Sequence, residues 1–315
     1  MVNLCEQVKT IARNNNARKL LRKIFYSYSY KGIHTPLILP EAIKIEVTKR
    51  CNLNCRHCLA NSGSANFREL TLSEIENLLT EAHDLGVTSV ALVGGEPFLR
   101  RDLSAIIDVI SELGMSYSIS SNGTLINTNI VNRIKRKNLL KVSVSLDGTE
   151  EYHNQLRVNN RAYERTIRGI KILTENYIKV AVAMVITKDN SEMIEHVIKA
   201  SYKAGASYFV INDLIPTGRG IQMKDACLSY SEYLDVTARM NRYSDLYKDK
   251  IEILWKGMRP DGPGDDELGL FIRSKCGAAL TELTIDNEGY VLPCPFLPKT
   301  DENILHKKLD RKSVV

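Results

Sequence analysis

Three of the chain's seven cysteines fall within eight residues, in the run Cys51-Asn-Leu-Asn-Cys55-Arg-His-Cys58. Gaps of three and two residues allow one loop to turn all three thiolates toward a single point, and thiolates are the ligands that soft iron–sulfur clusters require. Three ligands would leave one iron of a four-iron cluster without a protein donor, and an open iron is a reactive one. Two plainer readings stand beside this: a zinc site borrowing a fourth ligand such as His57, or three unrelated core thiols. Zinc sites usually pair their cysteines as CxxC units, which weighs against the first. Three further clusters combine glycine with polar side chains: Gly94-Gly95-Glu96-Pro97, Ser121-Asn122-Gly123-Thr124 and Asp147-Gly148. Taken singly, each is the chemistry of an ordinary turn.

For these clusters to act together the fold must bring them to one place, and the periodicity between them says how. From residue 41, short runs rich in β-branched residues alternate with helical stretches. The spacing predicts strands over 43–48, 89–93, 116–120, 141–146, 179–187 and 207–215, with helices over 73–85, 103–113, 128–137, 163–176 and 191–204. Thr71 and Ser73, with Glu74 behind them, supply a helix start, while Gly86 and Gly114 supply stops. Alternation of this kind gives parallel strands joined by right-handed crossovers. Six such units make either an open doubly wound sheet or a partial barrel, and periodicity does not choose between them. Both place functional loops at the carboxyl ends of the strands. The cysteine run follows the first predicted strand, and the other three clusters follow the second, third and fourth.

Composition sets the outer bounds. A chain of 315 residues, 43% hydrophobic and 25% charged, is long enough for one large α/β domain with an appendage, or for two domains. No apolar run approaches the roughly 20 residues of a membrane span, and the N-terminus is charged where a signal peptide would be apolar. Seven cysteines, concentrated in one motif, speak for reduced thiols in a cytoplasm. Net charge is +6, and residues 1–35 account for it with seven Lys/Arg against Glu6. That head reads as a helix lying on the domain with a solvated charged face, with contact to nucleic acid or an acidic peptide as the alternative. Nucleic acid is not expected as a partner.

Together, in this order and at strand ends, the motifs resemble the radical S-adenosylmethionine (radical SAM) family over about residues 41–225. The resemblance implies an α/β fold, a partial (β/α)6 TIM barrel, with a small C-terminal β-hairpin extension. Its cofactors would be a [4Fe-4S] cluster held by Cys51, Cys55 and Cys58 and SAM chelated to the fourth iron. Gly94, Gly95, Glu96 and Pro97 match the family's second-strand motif, where missing β-carbons would let backbone approach the ligand and Glu96 would accept from the SAM amino group. By the same resemblance Ser145 and Asp147 would contact the ribose or its neighbours, with Asn122 a further candidate. His57 would stack near adenine, and Arg157 would meet the SAM carboxylate. Reductive cleavage of SAM would yield a 5′-deoxyadenosyl radical that takes hydrogen from a peptide, protein or cofactor-precursor substrate. An electron donor such as flavodoxin or ferredoxin would feed the cluster. The rival reading from another class is a nonenzymatic iron–sulfur binder, against which the retained Gly94–Pro97 motif speaks.

Beyond the sixth strand, Pro216-Thr-Gly-Arg-Gly220 and the stretch 257–264 break the pattern, so the barrel is expected to end near residue 225. The sequence thus divides into a basic N-terminal segment 1–40, a core 41–225 and an extension 226–315. Strands over 281–286 and 290–292 flank Asn287-Glu-Gly289 as a hairpin. Cys276, twelve residues, Gly289, four residues and Cys294 resemble the opening of the SPASM/twitch extension, which holds an auxiliary cluster. No cysteine follows in the last 21 residues, leaving such a cluster two ligands short. No complete second cluster is therefore expected, and Cys5 and Cys227 read as incidental thiols.

Overall fold

The structure, a computed structural model, describes residues 41–63, 68–256, 282–297 and 299–306. The basic head, Cys5 and Cys276 lie outside the described residues. Six strands and seven helices follow β1 (Ala42–Thr48) in near alternation: α1 (Leu72–Asp84), β2 (Ser89–Gly94), α2 (Leu103–Glu112), β3 (Ser116–Ser121), α3 (Thr128–Ile134), β4 (Leu139–Ser145), α4 (Glu150–Arg157), α5 (Ala162–Glu175), β5 (Val180–Ile186), α6 (Ile194–Lys203), β6 (Tyr208–Asp213), α7 (Tyr230–Tyr247) and β7 (Glu252–Lys256). Two short strands, β8 (Glu282–Ile285) and β9 (Val291–Leu292), complete a nine-stranded sheet in the order β7-β6-β5-β4-β3-β2-β1-β8-β9.

That order decides what periodicity left open. A doubly wound sheet reverses direction at a switch point, whereas β1 to β7 run in strict sequence and every neighbouring pair is parallel. Right-handed crossovers that always step the same way put all the helices on one face, and the sheet curls about the other as a partial barrel. The helix-facing side is aliphatic and fully buried, with Ile43, Ile45, Leu92, Ile119, Val142, Val144 and Val182 packed against Ile75, Leu79, Ile106, Ile107 and Ile170. Alternate residues such as Ser118, Ser120, Ser143 and Ser145 occupy the opposite face and are not fully buried.

Helix α1 begins where its residue types dictate, with Thr71 and Glu74 forming a reciprocal capping box. The largest departures from the expected elements lie toward the ends of the sheet and in the fourth crossover. Helix α4 was absent from that reading because its composition is almost wholly polar; Thr149 caps it, with Glu150 and Glu151 in the first turn. The sheet also goes on past residue 225. Ser229 and Glu232 form a second capping box that starts α7, and β7 pairs in parallel with β6. The expected hairpin is present, but β8 pairs in parallel with β1 and joins the same sheet. Residues 42 and 282 face each other there, and Lys44 meets Glu282 at 2.5 Å.

Candidate functional site

The cysteine run leaves β1 at the carboxyl end of the sheet and returns on itself. Cys51 N–H donates to the Gly63 carbonyl at 3.0 Å, and Gly63 N–H donates to that of Lys49 at 3.1 Å. The end of β2 lies directly on the root of this loop. Gly95 N–H bonds the Thr48 carbonyl and Glu96 N–H the Arg50 carbonyl, both at 2.8 Å. A β-carbon at Gly94 would stand 2.3 Å from the Thr48 oxygen, and one at Gly95 would stand 2.2 Å from the Arg50 oxygen. The paired glycines thus admit the backbone of the cysteine loop.

Glu96 is fully buried and ties strand ends together. Its Oε1 accepts from Ser121 Oγ at 2.9 Å and from Phe98 N–H at 3.2 Å, while Oε2 accepts from Asn122 N–H at 2.8 Å. Burial pushes its carboxyl up to about 7, against those three bonds. Pro97 opens the 3-10 turn Pro97–Leu99 that Glu96 caps, the position at which a missing N–H is harmless. Asn122 spends its side-chain oxygen on Thr124 and its Nδ2 on Asn52 Oδ1 at 2.9 Å, with Cys51 Sγ at 3.9 Å from the same nitrogen. Asn52 in turn donates to Thr124 at 2.8 Å.

On the other side of the loop, Arg157 forks onto Asp147, with Nε and Nη2 at 2.8 and 2.7 Å from Oδ2, and Nη1 reaches Cys55 Sγ at 3.6 Å. Burial pushes the Asp147 carboxyl up, but the Arg157 guanidinium outweighs it and holds that group well below the usual carboxylate range. Its other oxygen accepts from Val185 N–H at 3.2 Å. His153 Nδ1 accepts from Asp147 N–H at 3.1 Å. Asp147 and Arg157 are thus held first by each other.

Two further positions have polar atoms to spare. His57 is buried, its Nδ1 has no partner among the described residues, and burial lowers its ring to about 4, so it is neutral at pH 7. Ser145, half-buried at the end of β4, has a hydroxyl that bonds no described residue. Arg219 is a residue that sequence reading did not place in the site, although it stands between two glycines in the run 216–220. Its N–H donates to the Cys58 carbonyl at 3.0 Å, and its guanidinium donates to the carbonyls of Cys55 and Ser62 at 2.8 and 2.7 Å. Gly218, at φ +57°, lies where a β-carbon would meet the Leu59 oxygen at 2.3 Å. The glycines flanking Arg219 were the signal.

The three thiols fit a cluster better than a single ion. Cys51, Cys55 and Cys58 are near enough for each of the latter two to push the Cys51 thiol upward, and burial takes it to about 11. Yet among the described residues no three His, Cys, Asp or Glu side chains close on one metal ion. A four-iron cluster holds its thiolates on separate irons, so they stand farther apart than the ligands of one zinc. N–H donors aim at Cys51 and Cys55, compensating thiolate charge. The unpartnered His57 Nδ1 and Ser145 hydroxyl, with the remaining acceptor position of Glu96, suit a polar cofactor beside the loop.

Comparison with known proteins bears on this arrangement. Residues 45–200 match the family model described as the Radical SAM superfamily. The chain is 31% identical over 266 residues to the AdoMet-dependent heme synthase of Oleidesulfovibrio alaskensis, covering 80% of this chain and 69% of that protein. It is 27% identical over 258 residues to the sporulation killing factor maturation protein SkfB of Bacillus subtilis, covering 81% and 60%. The fold is similar to that of Streptococcus suis SuiB bound to its precursor peptide SuiA, with a TM-score of 0.72, 22% identity, and coverage of 93% of this chain and 67% of that one. The first three curated relatives are spanned over 69%, 52% and 55% of their own lengths.

Proposed function

The chain belongs to the radical SAM superfamily, whose members use a [4Fe-4S] cluster and S-adenosylmethionine, and we propose that it is an enzyme that abstracts hydrogen from a peptide, protein or cofactor-precursor substrate. When bound, cluster and SAM supply one-electron cleavage of a carbon–sulfur bond and, through it, hydrogen-atom abstraction. The observation that carries the reading is a loop of three neighbouring thiols at the carboxyl end of β1, with N–H donors on two of them.

Within it, Cys51, Cys55 and Cys58 hold the cluster, and Arg219 holds the loop in shape by bonding three of its carbonyls. Asn122 orients Cys51. Ser145, His57 and the free acceptor position of Glu96 receive SAM. Gly94, Gly95 and Pro97 bring that acid against the loop, and Asp147 and Arg157 flank the cluster on the α4 side. The cofactor site falls within residues 41–225, with residues 226–315 left to serve the substrate. Relatives named for heme synthesis and for peptide maturation leave both substrate classes open, and SuiB is seen with a precursor peptide. Flavodoxin or ferredoxin would suit as electron donor. No helix among the described residues is long and apolar enough to cross a membrane, and reduced thiols of this kind fit a cytoplasmic setting.

The test is anaerobic reconstitution with iron and sulfide, followed by reduction in the presence of SAM. Formation of 5′-deoxyadenosine supports the reading. A fully loaded cluster that leaves SAM intact would return the chain to the class of nonenzymatic iron–sulfur binders.

A further inference from the structure

The cluster-side face of α4 carries two side chains that the proposed chemistry does not require in such an arrangement. His153 and Arg157 are four residues apart, so they share one face of the helix. Both point at Asp147, and all three are buried. Asp147 is fixed in turn by Val185 N–H on one oxygen and by Asn190, whose Nδ2 donates to the Asp147 carbonyl at 2.8 Å. The end of α4 is bolted to the cysteine loop, since Arg56 N–H donates to the Leu156 carbonyl at 2.9 Å. Arg157 therefore has little freedom, and its one remaining direction ends on Cys55 Sγ. The result is a fixed series of carboxylate, guanidinium and sulfur, shielded from water.

We propose that Arg157, aimed by Asp147, is a positioning residue that sets the reduction potential of the cluster through its N–H bond and charge on Cys55. The inference rests on the reading that Cys55 is a cluster ligand. Adding an electron makes the cluster and its thiolates more negative. A cation and an N–H donor at a ligand sulfur stabilise that reduced state and raise the potential. The Asp147 carboxylate, behind the guanidinium, acts with opposite sign and trims the effect. His153, neutral with Nδ1 accepting from the Asp147 backbone, adds no charge to the series and orients the acid. Arg157 is thereby assigned to the cluster, in place of the SAM carboxylate that resemblance suggested.

The two charges make opposite predictions, which a merely structural role would not. Full-length protein is reconstituted anaerobically, its iron content measured, and the reduced cluster followed by electron paramagnetic resonance during a dithionite titration without SAM. In Arg157→Gln, the ratio of reduced to oxidised cluster at the wild-type midpoint should fall about tenfold, 59 mV for one electron. In Asp147→Asn it should rise by several-fold. Because either single change leaves a buried charge alone, the double variant Arg157→Gln/Asp147→Asn guards against misfolding and should return to within about threefold of wild type. Shifts of the same sign in both single variants, or a double variant far below wild type, would overturn the proposal and leave a general loosening of the loop. Wild-type protein that takes up no cluster would instead overturn the underlying reading, visible in iron content before any potential is measured.

Discussion

Two parts of the sheet handle buried polar groups in opposite ways. At the carboxyl ends of β1 to β4, side chains reach across from one strand end to the next and converge on thiols: Glu96 on Ser121 and Asn122, Asn122 on Asn52 and Cys51, Asp147 on Arg157, and Arg157 on Cys55. In the β8–β9 hairpin they fold on themselves. Asp286 Oδ1 accepts from the N–H groups of Glu288 and Tyr290, both at 2.9 Å, while Lys299 meets Asp286 and Glu288 at 2.9 and 2.6 Å. Asn287 docks the turn by donating to Arg68 and accepting from Leu70 N–H. Among the described residues no side chain donates to the Cys294 thiol. The contrast is between strand ends whose side chains converge on thiols and a turn that, among the described residues, is closed by its own side chains.

The largest effect is expected at the contact between Gly95 and the cysteine loop. In Gly95→Ala the new methyl would lie 2.2 Å from a backbone oxygen that cannot swing aside. We expect more than about 3 kcal/mol of lost stability, together with failure to retain iron. Thermal unfolding and iron analysis would show it, and wild-type iron in this variant would mean that the loop is not positioned by β2. Glu96→Ala comes next. It strands three donors at once, each costing about 1–3 kcal/mol, and we expect about 3 kcal/mol overall in denaturant titrations, with SAM affinity at least tenfold weaker by calorimetry.

How much of this was legible in the sequence depends on distance along the chain. Strand positions, the α1 cap and the placing of four clusters after four strands are local patterns, and they were readable. The identity of what a glycine makes room for is not local. Gly95 announces a close approach, but only the fold shows that the intruder is the Arg50 carbonyl. The same holds for β8, whose pattern gave a hairpin but whose pairing with β1 spans about 240 residues. Helix α4 escaped because an almost wholly polar helix has no apolar stripe to read. Asp147 and Arg157 were each matched to SAM by resemblance, while the bond between them depends on how α4 returns over β4.

The stability of the cysteine-loop region should also depend on pH. His57 is held neutral by burial, with its ring lowered from 6.5 to about 4. The unfolded chain takes up that proton below about pH 6.5 and the folded one does not until about pH 4. Its share of stability is therefore present above pH 6.5 and lost as the pH falls to about 4, by about 3 kcal/mol. In His57→Leu this part of the acid sensitivity should vanish, and the difference between the two stability–pH curves measures it. Parallel curves would place His57 in water. The smallest effect at the first region is expected from Ser145→Ala, where a single unpartnered hydroxyl is removed. SAM binding should weaken by about 1 kcal/mol with no change in stability or iron, and an unchanged affinity would take Ser145 out of the site.

The most direct test sets the two regions side by side in one iron determination. Wild type, Cys51→Ala, Cys55→Ala, Cys58→Ala and Cys294→Ser are purified and reconstituted anaerobically, then assayed for iron and zinc and for the paramagnetic signal of a reduced cluster. We expect about four irons per chain in wild type and in Cys294→Ser, and loss of the four-iron signal in each of the other three. Stoichiometric zinc without iron, or a cluster that survives the three loop variants and disappears with Cys294, would contradict it.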